Sequence, residues 1–245
     1  MSSNMRWSEY SAFYEARVRK ARRHATWTGE FYNRYVSKYV TYLMYRCGCS
    51  ANMATVMSLV AIQSGMALAI WGTSPVALVM HVVLLQVSGL MDIIDGQIAR
   101  LRGTSSATGA FLDLVIDRLN VFAVFVGYGW AFHVHRGLSP QQVLLVAIAS
   151  LGYVYYSELG FIRAEAFPEQ SGTMQRFGGT FWTELIKLPY QAIHLNVALL
   201  ILSVGFVAGY GYETLLAYGA YAWAMCFAQI AFAFIAAGRA AKKPK

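Results

Sequence analysis

The chain has 245 residues, 57% of them hydrophobic and only 13% charged, with 20 Lys and Arg against 12 Asp and Glu for a net charge of +8. An ordinary soluble domain carries about 25% charged residues, so this composition, with a mean hydropathy of +0.43, excludes one and points to a chain whose solvent is mostly lipid. The positive charge gathers at Arg17, Arg19, Lys20, Arg22 and Arg23 and again at Lys242, Lys243 and Lys245, around an apolar middle; that placement fits membrane topology and anionic lipid, not a nucleic-acid groove.

Residues 1–50 read as a basic N-terminal segment, 51–238 as a transmembrane domain and 239–245 as a basic cytoplasmic tail. Charge and aromatics interrupt every apolar run in the first 35 residues, unlike a cleaved signal peptide. From Phe31 to Gly48, the residues Phe31, Tyr35, Tyr39, Tyr42 and Leu43 recur near helical spacing, with Arg34, Lys38 and Arg46 between them. This pattern predicts an amphipathic helix on the membrane surface, where a tyrosine offers its ring to lipid and its hydroxyl to water. Cys47, Cys49 and Cys226 are an odd set with no second nearby pair, which argues against a disulfide framework or a structural zinc site.

Six spans follow in order: Asn52–Trp71, Pro75–Asp92, Ala107–Phe132, Gln141–Phe161, Leu188–Val207 and Tyr212–Ala237. Each approaches the roughly 20 residues that a helix needs to cross hydrocarbon, and Gly/Pro/Ser breaks separate several of them. The expected fold is all-α: a polytopic membrane protein with six transmembrane helices and an N-terminal amphipathic surface helix. With the N-terminus in the cytoplasm, Arg100, Arg102, Arg163, Arg176 and Lys187 share its side with both basic ends, and Arg136 alone lies outside. The positive-inside tendency favours this orientation. His133 and His135 then fall in an outer loop, and the histidines read as interfacial or packing residues.

Four aspartates interrupt this apolar pattern. Asp92 and Asp95 are three apart, and share a face if their helix continues; Asp113 and Asp117 are four apart on the next helix. Gly96, Ala99 and Gly109 are small enough to let helix backbones approach, so the two helices are expected to meet and aim four carboxylates at one space. Four bare carboxylates repel one another and are costly to bury. Hard divalent cations, Mg²⁺ or Mn²⁺, relieve that charge, and four carboxylates suit two ions in the arrangement used for phosphoryl chemistry. Salt bridges to Arg100, Arg102 and Arg118, or solvated helix ends, are the structural alternatives.

The order Asp92, two residues, Asp95–Gly96, two residues, Ala99–Arg100, eight residues, Gly109, three residues, Asp113, three residues, Asp117 resembles the signature of the CDP-alcohol phosphotransferase family. The resemblance extends over six spans and a preceding surface helix. It implies an enzyme that displaces CMP from a CDP-linked alcohol by attack of an acceptor hydroxyl. It also implies that Asp92, Asp95, Asp113 and Asp117 are ligands of Mg²⁺ or Mn²⁺, with two ions per site, and that Asp117 is the general base. Gly96, Ala99 and Gly109 would leave space for the cytidine nucleotide, with Arg100 near a phosphate or bracing the site. A homodimer is implied by the resemblance alone. Where the family often has Pro–Asn–x–x–Thr, this chain has Ala51, Asn52 and Thr55. Proline at a first turn mainly preorganises backbone; Asn52 is expected to cap the first span, with a nucleotide contact as the alternative.

The signature reads the nucleotide and the metals, not the alcohol or acceptor. CDP-diacylglycerol is the expected donor, in phospholipid synthesis, with a phosphorylated polyol as a candidate acceptor. A small polar CDP-alcohol is the alternative donor, and an ion-coupled transporter the alternative from another class. Arg118, Arg163, Arg176 and Lys187 suit either a phosphate or ordinary topology. Glu158, Arg163 and Glu165 line an acceptor pocket or form an ion pair at the interface.

Overall fold

The computed structural model describes residues 6–19, 36–166 and 192–241. Among the described residues there are eight α-helices and no strand. They are α1 (Trp7–Tyr14, continued by a π-helical turn, Glu15–Arg19), α2 (Lys38–Arg46), α3 (Ala51–Trp71), α4 (Pro75–Arg102), α5 (Ala107–Arg136), α6 (Pro140–Ala166), α7 (Leu195–Val207) and α8 (Gly211–Ala241).

Local chemistry sets the helix ends. Ser50, Ser74 and Ser106 stand at the N-caps of α3, α4 and α5, and each Oγ accepts a backbone N–H three residues on, at 3.1 Å. Pro75 follows its cap directly, where its missing N–H costs nothing. Gly103 ends α4 with φ of 67°, and Thr104 N–H donates back to the Ala99 carbonyl at 3.0 Å. A residue with a Cβ is disfavoured in that left-handed turn. Ser50, not Asn52, therefore caps α3; Asn52 lies inside the first turn.

Four helices are long and apolar enough to cross a membrane: α3, α4, Pro140–Arg163 of α6 and Gly211–Ile235 of α8. The chain is on this ground an integral membrane protein. The other two expected spans are not among these four. α5 has 30 residues, but Asp113, Asp117, Arg118, Asn120 and three terminal polar residues, His133, His135 and Arg136, dilute its hydropathy. α7 is a shorter apolar helix of 13 residues, and the rest of that expected span, with Arg176 and Lys187, lies outside the described residues. Two helices run past their expected ends. α4 continues beyond Asp92 to Arg102, and α5 continues to Arg136, so His133 and His135 are helical rather than in a loop.

Helix α3 is the hub. It packs along both α4 and α5, which make almost no backbone contact with each other; α6 pairs with α8, and α7 joins α4 to α8. Small residues set the close crossings. A Cβ on Gly127 would meet the Met66 side chain, and one on Gly219 would strike the Ala149 backbone. The main core joins Ile62, Leu85, Phe125, Tyr128, Tyr153, Leu199 and Leu215.

Several polar groups inside α3, α4 and α5 are hydrogen-bonded to one another in layers. Ser58 and Ser88 share a hydrogen bond of 2.9 Å, and Asn120 Nδ2 donates to Ser58 Oγ at 3.2 Å. Deeper, His81 bridges the Gly65 carbonyl at 2.8 Å and the Tyr128 hydroxyl at 2.9 Å.

The N-terminal helices form a separate layer. Only α2 of the expected surface helix Phe31–Gly48 lies within the described residues, together with Val36, Ser37, Cys47 and Gly48; Phe31, Arg34 and Tyr35 lie outside. Thr41, Met44 and Tyr45 are buried, whereas Tyr39 and Leu43 are exposed. Helix α1, which no sequence periodicity announces, packs Tyr10, Tyr14 and Val18 against Tyr45 and Leu101.

Candidate active site

The acids stand where α4 and α5 approach their shared four-residue turn, residues 103–106. Continuation of α4 puts Asp92 and Asp95 on one helix, and the Ser106 cap starts α5 just before Asp113 and Asp117. Asp92, Asp113 and Asp117 each place a carboxylate oxygen within 4.8 Å of the other two. The Asp92 carboxyl contacts that of Asp117, and the Asp95 carboxyl contacts that of Asp113. Asp95 is held from two further sides: Thr55 Oγ1 donates to its Oδ2 at 2.7 Å, and Gly96 N–H donates to its Oδ1. The four carboxyls thus form one connected group, with Asp95 anchored to α3.

The acid-bearing helices meet through their carboxyls, but their backbones do not pack closely, contrary to the expectation from Gly96, Ala99 and Gly109. Those small residues instead line a cavity of about 410 Å³ between the helix ends, with Asn52, Thr55, Asp95, Arg100, Arg102, Ser106 and Asp113. Its size suits a nucleotide-scale ligand. Asn52 is a cavity residue here, the alternative to its expected capping role. Gly96 lets the Arg100 guanidinium fold over the helix; a Cβ there would lie 3.3 Å from an Arg100 terminal nitrogen. Gly109 is different, since its N–H serves the Ser106 cap.

Two buried atoms in this group lack a partner: Asp113 Oδ1 and Arg100 Nε. Carboxylate oxygens crowded together, one of them buried without a donor, suit a hard divalent cation better than they suit one another. The residues that fit one are Asp92, Asp113 and Asp117, with Asp95 reaching the same group through Asp113.

The sequence model of the CDP-alcohol phosphatidyltransferase family matches residues 49–235. The chain belongs to this family. It is a transferase that moves a phosphatidyl-type group from a CDP-alcohol to an acceptor, and the family typically depends on a divalent metal. No curated protein matches the chain. The matched span contains all the acids, and α1 and α2 lie before it.

Among the described residues, Arg118 and Arg163 do not line the cavity. Arg118, beside Asp117, pairs through Nε with Glu158, donates to Ser157 Oγ at 3.0 Å and stacks over Phe161 at 4.8 Å. Arg163 lies over the Phe232 ring at 5.7 Å, and Glu165 is exposed. Glu158 thus comes to the base of the acid cluster through Arg118, without Arg163 or Glu165. The sequence reading gave no role to Thr55 beyond its place in the Asn–x–x–Thr pattern, nor to the Arg118–Glu158 pair. The helical spacing of Ser157 and Glu158 from Phe161 was the available signal for the second.

Proposed function

We propose that this phosphatidyltransferase uses CDP-diacylglycerol as donor and makes a phospholipid, releasing CMP, with a phosphorylated polyol as acceptor. The observation that carries the reading is the convergence of Asp92, Asp113 and Asp117 beside a nucleotide-sized cavity whose wall Asp113 and Asp95 line. Asp92, Asp95, Asp113 and Asp117 would hold two Mg²⁺ or Mn²⁺ ions, which would supply neutralisation of the donor pyrophosphate and of the charge that grows on departing CMP.

The protein's own groups supply the rest. Gly96, Ala99 and Gly109 leave room for the cytidine nucleotide, and Arg100 faces a donor phosphate. Asp117 accepts the proton of the acceptor hydroxyl as its oxygen bonds to the phosphorus carrying the alcohol. The bond from that phosphorus to the CMP oxygen breaks, so a phosphodiester and CMP result. Thr55 keeps Asp95 oriented while the acids bind. The chain crosses an inner membrane six times as a homodimer, α2 lies at its surface, and the site and both termini face the cytoplasm. Support for the orientation comes from the basic residues Arg100, Arg102 and Arg163 near one set of helix ends.

The test is CMP release by purified protein in detergent with CDP-diacylglycerol, Mg²⁺ or Mn²⁺, and glycerol phosphate, inositol phosphate, inositol or serine separately. Metal-dependent release with one phosphorylated polyol is expected. CMP release only from a small polar CDP-alcohol would replace the lipid donor.

A further inference from the structure

The end of α4, from Asp92 to Arg102, presents two faces. One lines the cavity through Asp95, Gly96, Ala99, Arg100 and Arg102. The other is the stripe Ile94, Gln97, Ile98 and Leu101, residues that helical spacing brings together and that are all buried. Ile94 and Ile98 pack with Met44 of α2 and Ala54 of α3, and Leu101 packs with Tyr10, Tyr14, Val18 and Tyr45. Gln97 is the polar member of that stripe, and it is fully buried.

Its amide is gripped at both ends from α2. Thr41 Oγ1 donates to Gln97 Oε1 at 2.6 Å, and Gln97 Nε2 donates to Ser37 Oγ at 2.8 Å. Ser37 is the N-cap residue of α2, Thr41 lies one turn on, and both are fully buried. Helix α2 is in turn fastened to α1. The Tyr10 hydroxyl donates to the Lys38 carbonyl at 3.0 Å, and Lys38 Nζ reaches Ser11 Oγ at 2.8 Å and Glu15 at 3.2 Å. Burying three polar side chains where aliphatic ones would pack gains little stability by itself. What it adds is direction, because hydrogen bonds to the two ends of one planar amide weaken steeply when the helix turns and apolar contacts do not. The backbone of α5 makes almost no contact with α4, so this end of α4 depends on support from behind. A turn of about 20° moves a side-chain tip about 5 Å from the helix axis by roughly 2 Å, enough to break a hydrogen bond from Arg100 to a phosphate.

We infer that Gln97 is a positioning residue of the nucleotide site: clamped by Ser37 and Thr41, it sets the rotation of α4 that aims Asp95 and Arg100 into the cavity. Both clamping residues lie before the family-matched region. The inference rests on the cavity as the nucleotide site, and not on the choice of diacylglycerol as the alcohol. It gives α2 a role in substrate binding besides any role at the membrane surface.

The test is titration calorimetry of CDP on the full chain in detergent with Mg²⁺, alongside a thermal melt. Binding stoichiometry reports the folded fraction, so affinity is read separately from it. Thr41→Val keeps the side-chain shape and removes the hydroxyl, and Thr41→Ser keeps the hydroxyl. A triple variant, Ser37→Ala with Thr41→Val and Gln97→Met, makes the whole layer apolar. Thr41→Val is expected to weaken CDP by about threefold to tenfold, and Thr41→Ser to bind as wild type does. The triple variant is expected to melt close to wild type, because replacing all the partners together is nearly neutral, and yet to bind CDP at least as weakly as Thr41→Val. A triple variant that regains affinity along with its melt would make the layer mere packing and overturn the inference. Wild-type affinity in Thr41→Val, or an equal loss in Thr41→Ser, would overturn it too. Wild type that does not bind CDP would overturn the nucleotide site and this inference together, whereas CDP binding without CMP release from CDP-diacylglycerol would overturn the lipid donor alone.

Discussion

The helix bundle has a cavity at each end, and the two differ in how their polar groups are matched. At the far end, Gly72, Thr73, Leu78, Phe132, His135, Arg136, Phe206, Gly209 and Gly211 line about 310 Å³. Arg136 there pairs with Glu213 at 3.0 Å and also donates to the Gly209 carbonyl, and His135 Nε2 is bonded to the Ala69 carbonyl at 2.9 Å. At the acid end the cavity is larger, carboxyls touch carboxyls, and Arg100 Nε and Asp113 Oδ1 are buried without partners. That difference in size is modest and does not by itself set the two ends apart. The unmatched charge does, because burying such groups is favourable only when something else completes them.

The comparison breaks most directly at the acids. Asp117→Asn should lower CMP release by at least about a hundredfold, the usual contribution of a general base, with little change in the thermal melt. EDTA should abolish release from wild type, and added Mg²⁺ or Mn²⁺ should restore it; release that persists under chelation would sink the metal reading. Arg100→Ala should raise donor KM roughly tenfold, as expected for losing one charge-assisted phosphate contact. Thr55→Val removes the 2.7 Å bond to Asp95 while keeping the side-chain shape. It should cost roughly threefold to tenfold in kcat/KM, and a silent variant would detach Asp95 from the working site. At the far end Arg136→Gln should change kcat/KM by less than about twofold, since exposed ion pairs contribute little. A large loss there would erase the contrast between the two ends.

Much of the acid end is legible in the sequence, because Asp in an apolar helix is rare and helical spacing places neighbours on a face. The continuation of α4 past Asp92 is what makes Asp92 and Asp95 partners on one helix. The separation of α4 from α5 was not legible: it depends on α3 packing along both, and the same small residues suit close packing or an open wall. The cap at Ser50 was missed because Asn52 is an equally good capping type two residues later. Helix α1 was missed because its contacts with Tyr45 and Leu101 are tertiary. The expected span across α5 rested on its length, whereas its acids and terminal histidines lower its hydropathy.

The Ser58–Ser88–Asn120 layer also constrains how the bundle assembles. Each residue is only 2% exposed, and each lies within about one turn of the acid-site residue on its own helix: Thr55, Asp92 and Asp117 respectively. A longitudinal slip of any one helix by a turn, about 5.4 Å, would set its polar group against hydrocarbon side chains and strand its former partners. In lipid, where helix association gains nothing from expelling water from apolar faces, such a slip has few other penalties. This layer therefore works as a register lock: α3, α4 and α5 can dock at one vertical offset, and at that offset the carboxyls come level.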